Sequence, residues 1–264
     1  MAAGAGTGQP VRFRDQRAGR DGLHIASRYL VPRSTGEYFA ERPIFVPNFY
    51  LHRPIAGGPD AGLPPLLSAG HVTFACFNNP LKIGPPVLAL WRRVLERLPE
   101  ARLRLKFQRK YGSEQLRARI CEAVGPAADR IEFDPVQRVL GDHLTLYKET
   151  DIALDPFPFT GSTATFEALW MGVPVVTLLG STVMSRWTAS ILHTLKLDQL
   201  IARTPDDYVE IAVRLAADPS MLPSLRAGLR ERLLQSSICD ERRPVRHIER
   251  ALRAVWRRWC RGGA

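Results

Sequence analysis

From His71 onward the chain alternates short apolar runs with longer amphipathic stretches, a rhythm that predicts a parallel β-sheet wrapped by helices. The apolar runs fall near residues 72–77, 102–107, 130–133, 151–155, 174–179 and 199–202, short enough for strands covered on both faces. Helical periodicity fits residues 85–97, 113–123, 139–149, 163–171, 185–195, 206–217, 220–235 and 244–259. Pro85 and Pro86 suit the first turn of their helix, and Gly172 suits the end of another. Ligands of open α/β sheets gather beyond the carboxyl ends of the strands, so the loops after residues 77, 134, 157 and 180 are the ones to search.

The N-terminal quarter reads differently. Residues 1–24 are rich in Gly, Ala, Arg and Gln with almost no apolar pattern, and residues 1–33 are taken as a disordered or misplaced extension. Residues 34–70 are read as a connecting segment that ends in a Pro/Gly-rich linker, 54–70. The folded lobe with its C-terminal helices then covers 71–264. At 264 residues the chain has room for one sizeable core plus extensions, and no repeat of about 34 residues is found.

The net charge of +11 changes this picture less than its size suggests. Residues 1–33 hold six Arg against two Asp, and residues 226–261 hold eleven Arg against four acidic residues. The stretch between them, 34–225, has twenty basic and twenty acidic side chains and is neutral. The excess therefore sits in the flanks, which argues against a nucleic-acid surface on the core. The C-terminal flank also carries a helical stripe of Val245, Ile248, Leu252, Val255 and Trp259, so it is read as a packing helix with a solvated arginine face.

Cys76, Cys121, Cys239 and Cys260 are widely spaced, without a Cys-x-x-Cys pair, so reduced thiols are expected. No apolar run reaches the roughly 18 residues of a membrane span, and no apolar signal core follows Met1. No membrane partner and a cytoplasmic location are expected by elimination.

The chemistry concentrates in Asp151–Leu179, which reads strand, Gly-containing turn, helix, strand. An apolar strand ends near Asp155, the chain turns at Gly161, and Ser162 and Thr163 can cap a helix that carries Glu167. The unpaired amides and positive dipole end of such a helix favour an anion. Lys82, in the loop after the first strand, can bring an ammonium to the same sheet edge, while Lys106 is expected to lie outside the site. Asp151 and Asp155 are spaced by a buried strand and do not read as a metal pair. No Gly-x-Ser-x-Gly elbow is present, so a hydrolase finds no support.

These residues also carry a family resemblance. Phe77-Asn78-Asn79-Pro80-Leu81-Lys82-Ile83, then His143-Leu144 and Tyr147, then Asp151–Leu179, then Ser185-Arg186 and Ser190 follow one another as in the C-terminal catalytic lobe of the O-linked N-acetylglucosamine transferases. The chain most resembles their bacterial SPINDLY-like members, over roughly Glu37 to Trp259. The resemblance implies a Rossmann-like lobe of a GT-B glycosyltransferase, with residues 37–53 connecting it to a first lobe. It implies inverting, metal-independent transfer from UDP-N-acetylglucosamine to Ser or Thr of a protein, with no cofactor. A UDP-glucose-dependent transferase acting on Asn is the nearest rival, and a silent nucleotide-binding lobe is the alternative of another class.

The resemblance assigns roles residue by residue. Lys82 would stabilise the leaving diphosphate, and Asn79 would present an amide near the donor. His143 would stack on the base or donate to a ribose or phosphate oxygen. Gly161, Ser162, Thr163 and Thr165 would meet the phosphates, and Glu167 the ribose hydroxyls. Arg186 would contact phosphate or sugar, or form a structural ion pair. Two positions depart from the family pattern: Leu140 replaces a charged residue, and Ala164 lacks a hydroxyl. No catalytic base is assigned. The partners the resemblance implies are a nucleotide-sugar donor, a protein acceptor and a separately encoded N-terminal lobe or tetratricopeptide repeat region.

Overall fold

A computed structural model describes residues 23–261 except 34, 36, 40, 49 and 219. In chain order its elements are strands β1 (Leu23–Ala26) and β2 (Arg42–Phe45), the short helix α1 (Leu66–Ala69), β3 (Thr73–Cys76), α2 (Pro85–Arg97) and β4 (Arg102–Lys106). Then come α3 (Glu114–Val124), β5 (Ile131–Asp134), α4 (Leu140–Thr145), β6 (Ile152–Leu154), α5 (Thr163–Trp170) and β7 (Val175–Leu178). The chain finishes with α6 (Trp187–Thr194), β8 (Ile201–Ala202), α7 (Pro205–Ala217), α8 (Met221–Gln235) and α9 (Arg242–Cys260).

Six strands form one sheet in the order β5-β4-β3-β6-β7-β8, every pairing parallel. Two wings therefore grow outward from the central β3–β6 pair. The order reverses between those two strands, and a crevice opens there beyond their carboxyl ends. Helices cover both faces, as an all-parallel sheet requires. Helix α2 buries Val87, Leu88, Leu90, Trp91, Val94 and Leu95, with Pro85 at its first turn. The Trp91 indole donates to the Tyr208 hydroxyl of α7, joining two helices that cover the sheet.

Helix α5 is followed, one residue past its C-cap Met171, by Gly172, whose φ of +73° belongs to the left-handed region. A Cβ there would lie 2.7 Å from Arg226 Cγ and 2.8 Å from Arg226 O, so glycine answers both a backbone and a space requirement. Arg226 itself is buried, with Nη1 and Nη2 donating to the carbonyls of Thr150 and Tyr147 and Nε to Gly62.

That clamp corrects the expectation for the Pro/Gly-rich linker. Residues 54–70 are fastened to the lobe: Ala61 O and Gly62 O accept from Arg226, Pro59 O accepts from Arg230, and the Leu66 amide donates to Asp151. The expected structureless extension is corrected too. Leu23–Ala26 pairs in parallel with Arg42–Phe45, and Ala26, Leu30 and Val31 are buried against Phe39, Phe45, Val183 and Trp187. Order here comes from a strand partner about twenty residues downstream, which local composition does not reveal. The rest of the expected extension, residues 1–22, lies outside the described residues.

At the other end, α9 spans the expected helix with a few residues more, and its apolar stripe packs only in part: Ile248 and Val255 are half-buried, the other three positions exposed. Val245, Leu252 and Trp259 are 50–65% exposed, as is Trp256 outside the stripe, and Pro244 is the buried residue of the helix. Among the described residues no helix is long and apolar enough to cross a membrane. The four cysteines are free thiols.

Candidate active site

The crevice at the β3–β6 switch point holds a cavity of about 560 Å³ lined by Asn78, Asn79, Lys82, Lys106, His143, Ser162, Thr163, Ala164 and Glu167, among others. Each wall starts at the carboxyl end of a strand. After β3 the chain passes Phe77 and Asn78 and tightens into a 3₁₀ turn, Pro80–Lys82, where Asn79 Oδ1 accepts from the Leu81 amide. The side-chain oxygen of Asn79 is thus used in the cap, and its amide nitrogen is left to the cavity.

Lys82 reaches from this turn across the switch point. Its Nζ donates to Thr160 O at 2.9 Å and to Asn78 Oδ1 at 3.3 Å, and stands 4.2 Å from the centre of the Phe159 ring. An ammonium has three donors, so one N–H remains for a ligand oxygen. Burial lowers the Lys82 pKa, and the nearby Asp155 carboxylate works in the opposite direction.

After β6 the loop is built on Asp155, which is buried. Its Oδ1 accepts from the Gly161 amide and its Oδ2 from Thr177 Oγ1, both at 2.8 Å, while its carbonyl takes the Tyr208 hydroxyl. Asp151, at the other end of the strand, accepts from the amides of Thr73 and Leu66. Both carboxylates therefore staple loops.

This arrangement corrects two phosphate assignments. The Gly161 amide is spent on Asp155, so Gly161 serves by having no side chain: a Cβ would lie 2.5 Å from Thr165 Oγ1 and 2.8 Å from Asp155 Oδ1. Thr165 faces inward and shares a hydrogen bond with Thr188. Ser162 does not cap α5 either; its Oγ accepts from the Tyr50 hydroxyl at 3.1 Å. With that cap absent, the amides of Thr163, Ala164 and Thr165 have no protein acceptor among the described residues. Thr163 and Ala164 line the cavity at the positive end of the helix. The missing hydroxyl at Ala164 thus leaves a backbone donor in place.

Burial pushes the Asp155 carboxyl up from about 3.8 to about 6, against its hydrogen bonds and Lys82, which lower it. Because the folded pKa is raised, the linked stability is present below about pH 4 and is lost as pH rises through 6. The full swing is about 3 kcal/mol. Asp155→Asn should therefore gain on the parent as pH rises from 4 to 7, read from urea midpoints. A difference between the two proteins that does not change with pH would sink this account.

The opposite wall joins β4, α4 and α5. His143 Nε2 lies 3.2 Å from Glu167 Oε2, and His143 Nδ1 lies 3.0 Å from Lys106 Nζ. The Tyr147 hydroxyl is 3.5 Å from the same Glu167 oxygen and 3.3 Å from Ala164 O. Lys106 was expected outside the site, and the structure corrects this: it is 4% exposed and lines the cavity. Its position as the last residue of a strand was the available signal.

Arg186 is the expected site residue that the structure places elsewhere. Its Nε donates to Tyr29 O at 2.7 Å and its Nη1 to Gly180 O at 2.9 Å, with the guanidinium 5.1 Å from the Tyr29 ring centre. It does not line the cavity, and among the described residues it forms no ion pair. It secures the N-terminal strand segment to the loop after β7.

The sequence profile of glycosyl transferase family 41 matches residues 65–248, which contain every residue of this cavity. The chain belongs to that family. Among its family 41 relatives, the probable UDP-N-acetylglucosamine–peptide N-acetylglucosaminyltransferases SPINDLY of Petunia hybrida and Solanum lycopersicum are 38% and 39% identical over 235 and 238 residues. Those alignments cover 88% of this chain and 25% of each relative, so the chain spans about a quarter of their length. In three dimensions it resembles a mutant O-GlcNAc transferase of Thermobaculum terrenum, with a TM-score of 0.81 and 35% identity over 92% of this chain and 46% of that one. A sucrose-phosphate synthase of Thermosynechococcus elongatus shares the fold alone, at 14% identity and a TM-score of 0.57. The lobe is the Rossmann-like half of a GT-B glycosyltransferase, as the sequence led us to expect.

Proposed function

We propose that this family 41 chain is the donor-binding lobe of an inverting transferase that moves N-acetylglucosamine from its UDP ester to Ser or Thr of a protein. The observation that carries this reading is the convergence of the spare Lys82 N–H and the unpaired amides at the start of α5 on one cavity. When the bond from the sugar to the diphosphate breaks, its electron pair stays on the β-phosphate oxygen. An ammonium and a helix terminus already in place stabilise that charge without rearranging. The acceptor hydroxyl attacks the anomeric carbon from the opposite face, which inverts the configuration.

Glu167 keeps Oε1 for the ribose hydroxyls while Oε2 is held by His143 and Tyr147. The kinship with plant proteins named as probable UDP-N-acetylglucosamine–peptide N-acetylglucosaminyltransferases supports this donor and a peptide acceptor. Metal-independent binding is supported by Asp151 and Asp155, whose oxygens are engaged inside the protein.

Titration calorimetry in EDTA tests the proposal. UDP should bind without added metal, and more tightly than ADP, CDP or GDP. Binding that appears only with magnesium or manganese would overturn the metal-independent reading, and a preference for another base would overturn the UDP assignment.

A further inference from the structure

Both ring nitrogens of His143 are occupied from within the protein, and the two occupants differ in kind. On one side stands Lys106, the buried end of β4, with Nζ 3.0 Å from Nδ1. On the other stands Glu167, with Oε2 3.2 Å from Nε2. An ammonium only donates, so Nδ1 is the unprotonated nitrogen; a carboxylate only accepts, so Nε2 carries the proton. Donor, imidazole and acceptor then form one directed chain, Lys106 to His143 to Glu167.

Burial lowers the Lys106 pKa and Arg138, in the loop before α4, acts the same way, while Asp134 at the end of β5 and Glu167 on α5 favour its charge. The ring is braced by Phe77 and Tyr147, each with its centroid 5.6 Å away. With both nitrogens engaged, only the face of the imidazole is left for a ligand in the cavity.

We propose that Lys106 is a positioning residue of the nucleotide site: it fixes the Nε2–H tautomer and the orientation of His143, so that the imidazole meets the nucleotide through its ring face. The nucleotide half of this inference rests on the donor-site reading above, whereas the tautomer half does not need it.

Long-range ¹H–¹⁵N spectra of the ligand-free protein, with the His143 signals assigned by difference against His143→Gln, should show a bare Nδ1 and a protonated Nε2. Lys106→Arg keeps a donor and should keep this tautomer. Lys106→Met removes the donor and should give a mixture. Lys106→Met should also weaken UDP binding about five- to tenfold, the loss expected for one hydrogen bond. Its affinity for pyrophosphate, which has no base to stack, should not change.

A parent spectrum with Nδ1 protonated overturns the proposal without any variant, and so does an unchanged tautomer in folded Lys106→Met. Equal losses for UDP and pyrophosphate would make Lys106 a phosphate contact, also contrary to the proposal. If the tautomer is as expected and no nucleotide binds, the donor-site reading fails while the assignment of the lysine–histidine pair stands.

Discussion

Replacing Lys82 by alanine is expected to weaken UDP binding by about 1.5–3 kcal/mol, roughly tenfold to 150-fold, the range for a hydrogen bond to a charged group. The side chain is placed for this effect. It spans from the turn after β3 to the loop after β6, where two of its donors are held by Thr160 O and Asn78 Oδ1 and the third is left for a ligand. The fold should survive, because the lysine lies on the wall of an open cavity and the loop after β6 keeps its Asp155 staple. Lys106 cannot serve as the control, since it lines the same cavity. Lys110, exposed in the turn after β4, can. Calorimetry on Lys82→Ala and Lys110→Ala, with circular dichroism to follow folding, decides the matter. Parent-like binding by Lys82→Ala would remove the lysine from the site.

What could be read from the sequence were the features set by neighbours along the chain. Strand and helix periodicity located all six strands of the central sheet, and the sheet edge that follows from them brought Lys82, His143 and Glu167 into one cavity. What could not be read depends on partners far away in sequence. Ser162 looks like a helix cap until Tyr50, 112 positions earlier, takes its hydroxyl. Gly161 looks like a phosphate donor until Asp155 takes its amide. Arg186 looks like an anion contact until Tyr29 offers its carbonyl. In each case the residue type fits its local motif, and a competing hydrogen bond decides the role. Lys106 shows the reverse. Arg102 and Arg104, on the same side of β4, pair with Glu132, so a third cation at the strand end reads as one more surface charge. Its burial follows from the arrival of α4 with His143, and its place at the carboxyl end of β4 was the one local sign of a role in the site.

A polypeptide of these 264 residues is expected to bind UDP and yet transfer sugar very slowly. The groups gathered in the cavity act on one partner in the proposed reaction. In that proposal Lys82 and the start of α5 stabilise the departing diphosphate and His143 and Glu167 hold the nucleoside, which leaves none of these cavity residues to position the attacking hydroxyl. The chain covers 46% of the solved O-GlcNAc transferase it resembles, which leaves more than half of that protein to supply other contacts. Alignment of two reactants can account for roughly 7–11 kcal/mol of a barrier, far more than the leaving-group contacts at stake in Lys82→Ala. Donor affinity and turnover should therefore separate: calorimetry should show binding, while radiolabel transfer to a peptide mixture stays near background. Supplying a separately expressed N-terminal lobe of a family 41 relative should raise transfer without tightening UDP binding to the same degree. Fast transfer by the 264-residue chain alone would show that its own residues already orient the acceptor, and the division of labour argued here would be wrong.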